Sequence, residues 1–160
     1  MTHKELVKKA QLWLRNSINC TVVLSELKTS GYEIPDGIGW RSGESVLVEC
    51  KASRADFLSD HKKIFRQVDD MGMGERRFFM MPVRLVHPTE IPDPWGLIEV
   101  YPSSQRAKIT KPAKVIKDVN KKAEISMLVS VIRRLEISTA VFVRYDETDT
   151  NAHSVDTEKQ

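Results

Sequence analysis

The chain lacks any apolar run near the ~18 residues that would span a bilayer. Its opening, MTHKELVKKA, also lacks the apolar segment of a secretory signal, so a cytoplasmic protein is expected. Cysteine is nearly missing. Cys20 and Cys50 have no zinc-site spacing, and in a reducing compartment they read as small buried hydrophobes rather than a disulfide. There is no internal repeat and no linker before a polar tail. At 160 residues, one hydrophobic core is the expectation. With 41% hydrophobic and 29% charged residues, the composition is that of an ordinary globular protein.

Charge is unevenly placed. From Asp146 onward lie five of the 22 acidic residues and one of the 25 basic ones, leaving 24 basic against 17 acidic in residues 1–145, a net of +7. Such an excess suits a polyanion such as nucleic acid. The tail 146–160 has almost nothing to bury and is expected to be disordered, beside one domain over residues 1–145.

Leu6, Ala10, Trp13 and Leu14 recur at helical spacing over residues 3–16, predicting an amphipathic first helix. Residues 20–27, 34–40, 45–51, 76–83 and 96–101 read as strands. A helix is predicted from Ser53, a good N-cap, to about Asp70. A basic segment holding Lys108, Lys111, Lys114 and Lys117 leads into a helix over about 119–136, with Ile125, Leu128, Ile132 and Leu135 as its apolar face. STAVFVR, 138–144, reads as a last strand. The order predicts an α/β fold, a mixed sheet of about four to six strands flanked by helices.

The informative stretch is PDGIGWRSGESVLVECK, residues 35–51. In a strand, alternate side chains share a face, so Ser45, Leu47, Glu49 and Lys51 project together, opposite Val46, Val48 and Cys50. If Ser42 and Gly43 centre a hairpin, opposed residue numbers sum to 85, which sets Asp36 against Glu49. A one-residue slip would destroy this pairing. Two opposed carboxylates destabilise a sheet unless something compensates, and a divalent cation with hard oxygen ligands would do so. Lys51 would then steer a phosphate or a water. The alternative is a hairpin with ordinary surface charge, since Asp60-His61-Lys62 repeats the acidic-x-Lys form without such a setting.

At these residues the chain resembles the PD-(D/E)xK nuclease superfamily, with its restriction-endonuclease-like fold. The matching pieces are Pro35-Asp36 and Glu49-Cys50-Lys51, then Ser53 and a helix. The string ECKASRADFLSDHKK is most similar to the MmcB-like DNA repair branch and related small phage or prophage proteins. The resemblance is specific over VLVECKASRADF and loose elsewhere between residues 20 and 100. It implies a nuclease-like domain over 1–145 that cuts DNA with Mg²⁺ or Mn²⁺. Asp36 and Glu49 would be metal ligands, helped by the Cys50 carbonyl, and Lys51 the catalytic lysine. A further acidic ligand from an earlier element would be Glu26, with Glu5 as its competitor. The family pattern has a bulkier apolar residue where this chain has Gly37. Glycine there either permits close packing against Val46 and Val48 or loosens the site.

Around this constellation, Ser53 and Arg54 at a helix start suggest an anion site. Asp56, Asp60, Lys63 and Gln67 share one polar helix face, which reads first as the solvated side. The superfamily often uses this helix to buttress its site, which makes Lys63 and Gln67 secondary candidates. Arg76 and Arg77, with the lysines from Lys108 to Lys122, are candidate phosphate contacts, against the alternative of a solvated face. Trp40 and Trp95 read as core or turn residues before base-stacking ones. His61, His87 and His153 are assigned to no metal. The rival readings are a DNA-binding or interaction protein that keeps the scaffold without chemistry, and a phosphodiesterase acting on RNA or nucleotides. A homodimer is a further expectation, since branched-DNA nucleases often pair.

Overall fold

The computed structural model describes residues 1–27, 34–60, 72–104 and 106–135. Helix α1 spans His3–Asn16, as its periodicity predicts. Thr2 caps it: Thr2 Oγ1 accepts from the Glu5 amide, and Glu5 Oε2 accepts from the Thr2 amide at 2.7 Å. Six strands follow in the sheet order of the chain. They are β1 (Val22–Leu24), β2 (Gly37–Arg41), β3 (Glu44–Cys50), β4 (Arg76–Pro82), β5 (Gly96–Val100) and β6 (Ala107–Lys111). Strands β3, β4 and β5 run parallel and the other neighbours antiparallel. Helix α2 (Arg54–Asp60) leaves β3, and α3 (Lys121–Arg134) follows β6. The expected α/β architecture with a mixed sheet is therefore present. The 107–111 segment, read as a basic lead-in to a helix, instead pairs along β5 as β6. Lys63, Gln67, the expected strand 138–144 and the tail lie outside the described residues.

The β2–β3 turn carries the predicted register. Ser42 and Gly43 have φ of 39° and 79°, the positive values that suit a two-residue hairpin turn to the twist of its strands. The pairs run from Arg41↔Glu44 to Gly37↔Val48.

Both faces of the sheet are covered, so β3 is buried on each side from Ser45 to Cys50. On one face Val46, Val48 and Cys50 meet Leu6, Ala10, Trp13 and Leu14 of α1. Glycine is what lets the helix sit so close to β2. A Cβ on Gly37 would lie 3.3 Å from Leu14 Cδ1, and one on Gly39 only 2.7 Å from Cys20 Sγ and 2.9 Å from Cys20 Cβ. Gly37 is closely packed, against Leu14 and Ala10 of α1 and then Val48; Val46 is not among its nearest neighbours. Gly39→Ala is therefore expected to cost about 1–3 kcal/mol through overpacking, read as a lower urea midpoint at unchanged slope.

On the other face Leu47 packs with Ile38, Phe57, Phe79, Leu97 and Met127, and Phe79 stacks on Trp95 at 4.4 Å. Trp95 is thus core, and Trp40 gives its indole N–H to Glu124 at 3.1 Å. Helix α3 does not dock through its predicted stripe. Ile125, Ile132 and Leu135 are exposed, and the buried residues are Glu124 and Met127. The reason is polar. Glu124 Oε1 accepts from Ser45 Oγ and the Gly74 amide, both at 2.9 Å, and Oε2 accepts from Trp40 and from Lys121. Lys121 also reaches Glu75 at 2.9 Å. Burial pushes the Glu75 carboxyl up, but Lys121 and the Ser45 amide outweigh it and hold it below its usual range.

Candidate active site

Strands β3, β4 and β5 end side by side near Cys50, Pro82 and Val100. Open α/β sheets bind ligands beyond the carboxyl ends of their parallel strands, and the sequence-predicted carboxylates lie there. Asp36 directly precedes β2, at the position that continues the register opposite Glu49. Its Oδ2 accepts the Cys50 amide at 2.7 Å, so the side chain closes the end of the ladder. A strand residue sends its N–H and C=O to the same edge, which turns the Cys50 carbonyl towards Asp36 as well. The next amide, Lys51, faces the other way and donates to Met80 O at 3.0 Å.

Glu49 and Lys51 project together, as the strand period requires, into a buried position. They are 3% and 4% exposed, with Lys51 Nζ 3.8 Å from Glu49 Oε2 and 3.9 Å from Asp56 Oδ1 on α2. Asp56, expected on a solvated helix face, is brought to the lysine by the first turn of α2. Glu26 lies just past β1 with φ of 49°, its amide bonded to Pro35 O. Its carboxylate is exposed. A residue the sequence reasoning passed over, His3, bridges the two: Nε2 is 3.3 Å from Asp36 Oδ1 and 3.9 Å from Glu26 Oε1. Glu5, the competitor of Glu26, spends its carboxylate on the α1 cap.

Burial drives the Cys50 thiol far above its ordinary value, the charges of Asp36 and Glu49 add to the shift with a smaller push from Glu26, and Lys51 opposes them. The thiol stays protonated and inert. Lys51 stands beside Glu49 and Asp56 among the described residues, and His3 beside Asp36 and Glu26. Among the described residues no three His, Cys, Asp or Glu side chains form a ready-made metal cage. The donor set fits a hard divalent ion all the same, because Mg²⁺ takes one or two carboxylates and completes its octahedron with waters and phosphate oxygens.

The other predicted site residues separate into two groups. Ser53 does cap α2, its Oγ accepting from the Asp56 amide. Arg54 is held by both carboxylate oxygens of Glu90, and that pair keeps the Glu90 carboxyl down at about 2. Arg76 and Arg77 begin β4, opposite Val46 and Leu47, and so sit at the far end of the sheet from the carboxylates. Arg76 binds Glu44 at 2.6 Å and Ala113 O. Arg77 is 1% exposed, its Nε donating to the carbonyls of Met73 and Gly74. Its role is to brace the loop before β4, and its burial leaves no face for a phosphate. Lys111 and Lys114 pair with Asp93 at that same far end. Among the described residues, the arginines exposed on loops at the carboxylate end are Arg84, after β4, and Arg106, before β6.

No protein-family pattern matches the chain, and no curated protein is similar to it. The fold has a solved counterpart. SPO1766, a protein of unknown function from Silicibacter pomeroyi, is similar with a TM-score of 0.61, over 89% of this chain and 98% of that one, at 20% identity. Likeness at that level establishes a shared fold and carries no chemistry. Among the described residues no helix is long and apolar enough to cross a membrane.

Proposed function

We propose that the protein hydrolyses DNA phosphodiester bonds with Mg²⁺ or Mn²⁺ as cofactor. One observation carries this reading: the β2–β3 register sets Asp36 across from Glu49, with Lys51 buried 3.8 Å from Glu49, at the sheet edge where α/β folds bind ligands. The basic excess of residues 1–145 supports a polyanionic substrate.

Asp36, Glu49 and the Cys50 carbonyl would hold the ion, with Glu26 at the solvent side. When bound, the ion supplies an acidified water and neutralises charge on the attacked phosphate. Lys51, kept in place by Glu49 and Asp56, orients that water and stabilises the negative charge that develops on the phosphoryl oxygens. The water oxygen bonds to phosphorus as the ester P–O bond breaks, leaving one hydroxyl end and one phosphate end. Burial strengthens each of these interactions by lowering the local dielectric.

Cleavage should be assayed on single-stranded, nicked, branched and duplex DNA with either ion. If the wild type cuts none of them, or Asp36→Asn cuts equally well, the reading fails and a binding protein on the same scaffold takes its place. A second measurement is independent of turnover. An ion that binds only the native state at 100 times its Kd adds about 2.7 kcal/mol of stability. Mg²⁺ should therefore raise the Tm of the wild type by several degrees, and Glu49→Gln should remove most of that rise.

A further inference from the structure

We propose that His3 is a ligand of the metal centre, and that its imidazole nitrogen makes the site prefer Mn²⁺ over Mg²⁺. The inference rests on the metal-dependent reading above and deepens it. Three separate pieces of chain converge here: the first turn of α1, the second residue after β1 and the residue before β2. His3 Nε2 stands 3.3 Å from Asp36 Oδ1 and 3.9 Å from Glu26 Oε1. Neighbouring donors of an octahedral ion with bonds near 2.1 Å lie about 3 Å apart. The His3–Asp36 separation is close to such an edge, and the exposed Glu26 side chain has room to close the rest.

The orientation is set before any ion arrives. The capping box of Thr2 and Glu5 fixes the start of α1, and burial of Leu6, Val7 and Ala10 pins its first turns. Asp36 is fixed in turn by the Cys50 amide. His3 therefore meets the oxygen of Asp36 that the Cys50 amide does not take. Asp36 would then join the two halves of the site, His3 and Glu26 on one side, Glu49 and the Cys50 carbonyl on the other.

The chemistry gives direction to the preference. Mg²⁺ favours oxygen and sheds its waters reluctantly, whereas imidazole suits transition metals, and affinity for nitrogen-containing sites begins to climb at Mn²⁺. An oxygen-only site would leave the choice to cavity size and ligand number. One imidazole among carboxylates shifts it to the softer ion.

The test uses the full chain and Mn²⁺ alone, with no DNA. Bound Mn²⁺ is counted by loss of the free-ion electron paramagnetic resonance signal, and its ligands are read by pulsed measurement of nitrogen coupling. The wild type should show imidazole nitrogen coupling that vanishes in His3→Ala and in His3→Gln. Either substitution should weaken Mn²⁺ by about tenfold or more and Mg²⁺ by less than about threefold. A helix-start side chain that only pairs with Asp36 could not produce the nitrogen coupling. If Mn²⁺ binds and Glu49→Gln abolishes it, yet no nitrogen coupling is seen or the coupling persists in both His3 variants, His3 is not a ligand and the two-carboxylate site stands. If the wild type binds no Mn²⁺, or binds it unchanged in Asp36→Asn and Glu49→Gln, the metal-dependent reading itself falls, and this inference with it.

Discussion

Lys51→Met is expected to reduce DNA cleavage by at least about 10²-fold, the scale on which removing one preorganised charge from a transition state is felt. Methionine keeps most of the buried volume and deletes the ammonium, so the substitution isolates the charge. It also removes a cation 3.8 Å from Glu49, which is 3% exposed. Breaking a buried ion pair from one side costs about 3 kcal/mol or more, which a domain of 5–15 kcal/mol total stability survives. Urea unfolding should show that loss while the protein remains folded in water. The Mg²⁺ stabilisation should persist, because Asp36 and Glu49 remain to bind the ion. Single-turnover cleavage within about threefold of wild type would remove Lys51 from the mechanism.

Glu124→Ala should produce the largest loss of stability. One buried carboxylate accepts from Trp40, Ser45, the Gly74 amide and Lys121, groups drawn from β2, β3, the loop before β4 and α3 itself. Each buried donor left unpaired costs about 1–3 kcal/mol. The expected total, about 4 kcal/mol after relaxation, lowers Tm by about 10 °C for a chain of this size. Glu124→Gln keeps two acceptor positions on one oxygen and should cost less than half as much. Catalysis is the control. The network lies at the Ser45 end of β3 and the carboxylates at the Cys50 end, so cleavage per folded molecule should be unchanged well below the melting transition. A stability change under 1 kcal/mol for Glu124→Ala would mean that α3 docks by some other means.

Several local features were legible because short-range rules decide them. Helix α1 follows from the spacing of Leu6, Ala10, Trp13 and Leu14. The β2–β3 register follows from the period of two and from a Ser-Gly turn that tolerates positive φ, and it alone sets Asp36 against Glu49. The separation of Arg76 and Arg77 from the site was not legible. It depends on β4 lying parallel to β3, which puts the first residues of one strand beside the first of the other. An apolar strand reads alike in either direction.

Helix α3 shows the same limit from the side of packing. Its sequence says which residues share a face, and by transfer energy the face of Ile125, Ile132 and Leu135 should be inside. Which face docks is decided by what stands opposite. Trp40, Ser45 and the Gly74 amide present donors, so the Glu124 face is drawn in and the apolar stripe is left at the surface.

By itself, then, the sequence determined the elements whose cause lies within a few residues: α1, the hairpin, and the projection of Glu49 and Lys51 to one side. Only the tertiary structure decided that both sides of the sheet are covered, that Gly37 gives room to α1 and Gly39 to Cys20, and that His3 faces Asp36 across 33 positions of chain. Periodicity and turn chemistry are properties of neighbours in sequence. The partner of a buried charge is chosen by the packing of elements that the chain brings together from far apart.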